Sequence, residues 1–254
     1  MKFKIALFAS ACAFALAAPA SAQFAGQVGA GYSHINADHI NINDLNASLA
    51  AESALFDTDF HLQANMTYSN LAVHDAPVTG NEWSGGGTAF WATDMFRAGV
   101  TANDDTIHFG PRESSEHETS FGGFGEWFCG AFTAGLKAGD ISGSGAYVGG
   151  EGAFYAMPNL ALTGTIDYSG ASHTHETDFT PQVEYLFSDE IPVSLYAGYT
   201  YASASGFGSS GNGNAFFVGL HLYVNSNGAT GLIGRQRTGT VGWGSTFGPL
   251  GANL

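Results

Sequence analysis

Basic residues, cysteines and long apolar runs are what this chain lacks. Of 254 residues only 7 are Lys or Arg, against 22 Asp or Glu. A chain of that sign repels phosphate backbones, and no basic patch with interleaved aromatics offsets it, so nucleic acid is excluded as a partner. Cysteine occurs only as Cys12 and Cys129. Neither a disulfide framework nor the Cys/His spacing of a structural zinc site can be built from them. No apolar run reaches the ~20 residues that a membrane-spanning helix needs. Helical membrane crossing is therefore excluded as well.

What is present begins with Lys2 and Lys4, an apolar run from Ile5 to Ala18, and Pro19-Ala20-Ser21-Ala22. A basic start, a short apolar core and an Ala-x-Ala end predict a signal peptide over residues 1–22, removed before Gln23. Cys12 goes with it, and Cys129 becomes the one cysteine of the exported chain. Beyond this leader the chain is rich in glycine (36 residues) and aromatics (13%) but has only 11% charged residues. Disordered chains are poor in aromatics, so this composition fits a β-rich protein that does not meet water on every side.

Two-residue alternation carries the fold prediction. In Phe60-His61-Leu62-Gln63-Ala64-Asn65-Met66-Thr67-Tyr68-Ser69 every even position is apolar or aromatic and every odd one polar. Successive strand side chains point to opposite faces, so one face is greasy and the other wet. Asp178 to Phe187 and Val193 to Tyr201 repeat the pattern. Read throughout, it predicts an all-β, antiparallel up-and-down transmembrane barrel over residues 23–224. Twelve strands are expected, with ten left open by the long connection around Glu52 to Thr58. A C-terminal tail, 225–254, follows and is expected in the periplasm or folded into the lumen.

Tight connections at Thr93-Asp94, Phe128-Cys129-Gly130, Met157-Pro158-Asn159 and Ser188-Asp189-Glu190-Ile191 read as periplasmic turns. Stretches rich in Gly, Asp, Asn, His and Ser, at 72–81, 104–116 and 206–214, read as longer outer loops. A soluble sandwich or lipocalin-like barrel would also alternate, but its polar face would carry Lys and Glu. Here that face is Thr, Ser, Gln, Asn and isolated acids. Trp83 and Trp91 share a face eight positions apart, as do Phe60 and Tyr68. At ~3.3 Å per residue and ~40° tilt that projects to about 20 Å along the membrane normal, near the distance between two aromatic girdles.

The segment Ala156-Met157-Pro158-Asn159-Leu160-Ala161-Leu162, running on to Asp167-Tyr168, resembles the turn and ascending strand of small outer-membrane barrels. These are the porin-like or OmpA-like superfamily of Gram-negative bacteria in its broad sense. That resemblance implies residence in the outer membrane after export, contact with its lipid, and assembly by the general insertion machinery. Nothing in the sequence sets an oligomeric state. Such barrels usually end on an aromatic residue, whereas this chain ends Gly251-Ala252-Asn253-Leu254. The closing strand is instead expected at Phe216 to Val224.

If the greasy faces meet lipid, the opposite parity lines the lumen with Asp44, Glu126, Glu151, Asp167, Asp178 and Glu184, against Arg97 and Lys137. Carboxylate-rich constrictions concentrate cations. The expectation is a passive, porin-like diffusion channel with a weak preference for cations. A barrel closed by internal charge pairing, with a structural, adhesive or envelope-anchoring role, is the alternative. A third reading is a metal-binding receptor. His117, His173, His175 and Glu176 gather near predicted outer strand ends, and imidazole with carboxylate suits a divalent metal, though no cofactor is required. An enzyme is not expected. Ser172 beside His173 or His175 is the one tempting grouping, and adjacent strand residues point apart.

Overall fold

The computed structural model describes residues 24–240, apart from 38–39, 56–57, 75–78, 111–114, 143–144, 172–173, 207–208 and 225–228. The predicted leader, His173 and the end of the tail lie outside the described residues. Twelve strands run in chain order: β1 (Phe24–Ala37), β2 (Ile40–Ala54), β3 (Phe60–Val73), β4 (Thr79–Ala92), β5 (Phe96–Phe109) and β6 (Ser115–Cys129). They continue with β7 (Phe132–Ile141), β8 (Gly145–Met157), β9 (Leu160–Ala171), β10 (Thr174–Leu186), β11 (Val193–Gly206) and β12 (Ser209–Val224). One short helix, α1 (Gly231–Thr238), follows.

Each strand pairs antiparallel with its sequence neighbours, and β12 pairs with β1 from Gly26↔Val224 to Ala37↔Gly213. The sheet is therefore a closed up-and-down barrel without an edge, in which every strand's backbone groups find partners on both sides. Twelve is the strand number, and the ten-strand alternative falls. The stretch that left it open is a turn between β2 and β3, where Leu55 N–H donates to Phe60 O (2.8 Å) and Thr58 N–H to Leu55 O (3.0 Å).

Alternation decides which side chains enter the barrel. Val100, Leu136, Ile166, Phe179 and Phe216 are each more than half exposed on the outside. Gln63, Thr88, Thr101, Ser120 and Thr200 are buried within. Water would not tolerate a continuous band of exposed Leu, Val, Ile and Phe, whereas hydrocarbon does. The outer band is flanked by rings. Phe60 pairs directly with Trp91 near one end of the β3–β4 ladder, and Tyr68 with Trp83 near the other, with the latter ring centroids 4.7 Å apart. Tyr32, Tyr68 and Tyr201 each donate a hydroxyl hydrogen bond to an asparagine, Asn43, Asn81 and Asn212, at 2.7–3.1 Å.

The two ends of the barrel are named here by the chain. The terminal end holds the start of β1, the end of β12 and the tight turns; the distal end holds the remaining connections. At the distal end the expected long loops are largely strand: β5 continues to Phe109, β6 begins at Ser115, and β12 begins at Ser209. Strands of 10 to 16 residues exceed the ~9–11 that cross a bilayer. Past the apolar band the outer face turns polar while Ile35, Leu71, Ile107 and Ile141 are buried inside, so the apolar-out alternation fades while the backbone ladder persists.

Candidate functional site: the lumen

The register sets all eight sequence-predicted lumen residues on inward positions: Asp44, Arg97, Glu126, Lys137, Glu151, Asp167, Asp178 and Glu184. They fall into two groups. At the terminal end, Arg97 on β5 and Glu126 on β6 are direct cross-strand partners and form an ion pair. Both are buried, at 5% and 2% exposure. Glu52 and His61 pair beside them at 3.1 Å, and the His61 ring stacks on Phe90 with centroids 5.1 Å apart.

Glu184 anchors the other side of the same end. It accepts from Ser194 Oγ, from Tyr223 OH at 2.8 Å and from His221 Nδ1 at 3.0 Å. Its second oxygen accepts from Gln236 of α1 at 3.0 Å. The tail thus returns into the barrel mouth. Leu232 is fully buried there in a cluster with Ala153, Tyr155, Ala161, Leu186 and Tyr223.

The helix is fastened at both ends. Thr230 at its N-cap makes no capping hydrogen bond. Asp189, in the β10–β11 turn, accepts from Gly231 N–H at 2.7 Å and pairs with Arg235 at 3.3 Å. A carboxylate at that position both receives a free helix N–H and opposes the helix dipole. Gly231 has φ +68°, and a Cβ there would lie 2.7 Å from Pro158 O, so only glycine lets α1 approach the β8–β9 turn. Past the helix, Gly239 O accepts from Arg97 at 3.0 Å, and Thr240 Oγ1 donates to Gln27 Oε1 at 3.1 Å. Arg237 donates to Phe132 O at 2.6 Å, with its guanidinium 5.3 Å from the Phe128 ring. Contacts of α1 reach β7, β8 and β10, and those of Gly239 and Thr240 reach β5 and β1, so the tail packs into the mouth.

Toward the distal end the lumen changes character. Asp44, Glu82, Asp105 and Glu118 line one wall from β2 to β6, and Glu176 and Asp178 line β10. Glu82 is within electrostatic reach of Asp105, Asp44 and Glu118. Glu176 is within electrostatic reach of Asp178 and, from four strands away, Glu118. Lys137, paired with Asp167 at 2.9 Å, is the base on this side of the described lumen. Two aromatic rings lie flat on the wall. On this side Tyr147 covers Gly139 and Gly122, whereas Tyr196, cross-strand from Glu184 and stacked on His221 at 4.3 Å, covers Gly219 beside the terminal network. Glycine on the neighbouring strand is what keeps these rings out of the bore.

Glu52, His61, Glu82, Asp105, Glu118 and His221 were not among the predicted lumen residues. Parity alone could have found Glu82, next to outward Trp83, and His61, on the wet face of the clearest run. Glu52 begins the stretch read as a long connection to Thr58, Asp105 lies in the expected loop 104–116, and Glu118 adjoins the metal candidate His117. The candidate metal residues are not brought together. His117 faces outward and meets Asp104 at 3.1 Å. His175 also faces outward, donating to or accepting from Ser205 at 2.7 Å, whereas Glu176 points into the lumen. Neighbouring strand positions cannot share one ligand shell. No group of three or more His, Cys, Asp and Glu suited to a metal occurs among the described residues.

No protein-family model matches the chain, and no curated protein matches it. Among solved structures it is similar to the KdgM porin, with 12% identity and a TM-score of 0.47 over 76% of this chain and 98% of the porin. The translocator domain of the autotransporter NalP from Neisseria meningitidis gives 12% and 0.47 over 87% of this chain and 95% of that domain. The CymD monoaromatic hydrocarbon channel gives 8% and 0.47 over 80% and 88%. The assignment rests on the chain's own geometry. With twelve strands closed on themselves, an apolar exterior carrying aromatic residues and a largely polar, charged interior, this chain has the fold of an up-and-down transmembrane β-barrel.

Proposed function

We propose that the protein is a non-enzymatic outer-membrane channel for small solutes, with a cation-preferring distal lumen and a terminal mouth gated by its own tail. Export on the N-terminal leader and assembly by the outer-membrane insertion machinery belong to the same reading. The observation that carries it is the imbalance of charge along the distal bore. There Asp44, Glu82, Asp105, Glu118, Glu176 and Asp178 face inward with Lys137 as the described base. Carboxylates in a narrow, low-dielectric passage raise the local cation concentration and exclude anions. The terminal end, by contrast, sets a base directly against an acid, Arg97 with Glu126.

A second reading is favoured by α1 itself. With Leu232 fully buried and the helix bonded to strands around the mouth, the resting barrel is closed, and its service to the envelope would be structural. Planar-bilayer recording separates the two. Discrete conductance steps, with a reversal potential in a KCl gradient displaced toward the cation potential, support the channel. Silence from both the full chain and a chain ending at Val224 would sink it.

A further inference from the structure

We propose that the distal lumen is a binding site for linear organic polycations, molecules carrying two or more ammonium groups on an alkyl chain. This deepens the channel reading by naming its solute class, and it rests on that reading for its physiological meaning.

Three observations lead to it. The first is that buried polar atoms in this wall are left without partners. Asp105 is 6% exposed and Ser84 7%; they face each other across β4 and β5, yet no well-aligned hydrogen bond reaches Asp105 Oδ2. Asp44 is 5% exposed, and its Oδ1 is likewise unpartnered. A buried carboxylate oxygen without a donor costs several times what a paired one does, and these point into the bore by register. Donors supplied by a ligand would remove that cost.

The second observation concerns spacing. The carboxylates of Asp44, Glu82, Asp105 and Glu118 sit on strands β2, β4, β5 and β6. At ~4.8 Å between neighbouring strands, successive charges lie roughly 5–10 Å apart. A metal ion needs its ligands within one coordination shell, and no such group is assembled among the described residues. Ammonium groups separated by three or four methylenes are about one strand spacing apart, so a flexible polyamine can visit several of these carboxylates in turn.

The third observation is the aromatic lining. Tyr147, near the distal start of β8, lies over Gly139 and Gly122 of the adjoining strands, which turns a ring face toward the passage. Such a face attracts ammonium groups and accommodates the methylenes between them. A hydrated divalent ion would gain nothing from it.

The test uses the refolded full chain, with spermine as the probe and magnesium and butylamine as comparators in titration calorimetry. Saturable spermine binding, about tenfold tighter than either comparator, is expected. A Glu82→Gln/Asp105→Asn variant should bind about tenfold more weakly while keeping the heat-modifiable gel mobility of the folded barrel. Asp44→Asn serves as the second variant if that pair does not fold. Equal, weak binding of spermine and magnesium would overturn the proposal, and so would tighter binding of magnesium or unchanged affinity in the folded variants. Spermine binding by a barrel that never conducts would leave this inference standing and remove the channel. Cation-biased conductance without spermine binding would do the reverse.

Discussion

The two ends of the lumen are built from the same twelve strands and the same alternation, yet they treat charge in opposite ways. At the terminal end, buried Arg97 faces Glu126, His61 faces Glu52, and Glu184 is surrounded by Ser194, His221, Tyr223 and Gln236. At the distal end, Asp44 and Asp105 keep unpartnered oxygens within a wall of like charges. A filled, satisfied polar network adds rigidity, whereas an unsatisfied one costs stability and is kept where something else gains from it. Glu52 Oε2 is unpartnered at the terminal end too, so what separates the two ends is charge: terminal acids face Arg97, His61 and His221, whereas Glu82, Asp105 and Glu176 face other acids.

Four experiments would break or sharpen that contrast. The largest effect is expected from ending the chain at Val224. Removing α1 opens the terminal mouth, so single-channel conductance should rise several-fold, and an unchanged conductance would mean that the helix is no barrier. Next in size is Arg97→Met. It leaves Glu126 buried without its partner, and removal of one member of a buried ion pair costs about 3–5 kcal/mol. Urea unfolding followed by tryptophan fluorescence should report a lower midpoint.

Smaller effects follow from the helix and from the distal wall. Gly231→Ala forces a Cβ onto a positive-φ position against Pro158 O. A strain of about 1–2 kcal/mol should loosen the tail without unfolding the barrel. Faster tryptic cleavage at Arg235 and Arg237, read by mass spectrometry, is the expected result. The smallest effect, and the most telling in sign, is that of Asp105→Asn. At the terminal end loss of a charge destabilises, but here it relieves repulsion and should stabilise the barrel by about 1 kcal/mol. A destabilisation as large as that of Arg97→Met would erase the distinction between the two ends.

Much of this was legible in the residues. The run from Phe60 to Ser69 sorts its own side chains into outside and inside, and the cross-strand ladder keeps that sorting, so the eight predicted lumen charges share the interior. Twelve strands followed from counting such runs. The distal connections were harder. In Asp104-Asp105-Thr106-Ile107-His108 neither face is apolar, so periodicity is silent although pairing continues to Phe109. The histidine cluster misled for a related reason. Glu116, His117 and Glu118 are neighbours in sequence, but in an extended chain neighbours are divided by the wall itself.

The tail was beyond the reach of pattern. Gly231 to Thr238 is short and has no marked apolar face, and its stability comes from Leu232 entering a pocket made by β8, β9, β10 and β12. Those partners are far away in sequence, and no local signal announces them. What the sequence determined by itself is the barrel, because alternation is a local property that the pleat converts directly into an inside and an outside. Only the tertiary structure decided that the chain's own helix packs into the terminal mouth while carboxylates gather toward the other end, because both depend on register, which sets side chains from distant strands at the same height.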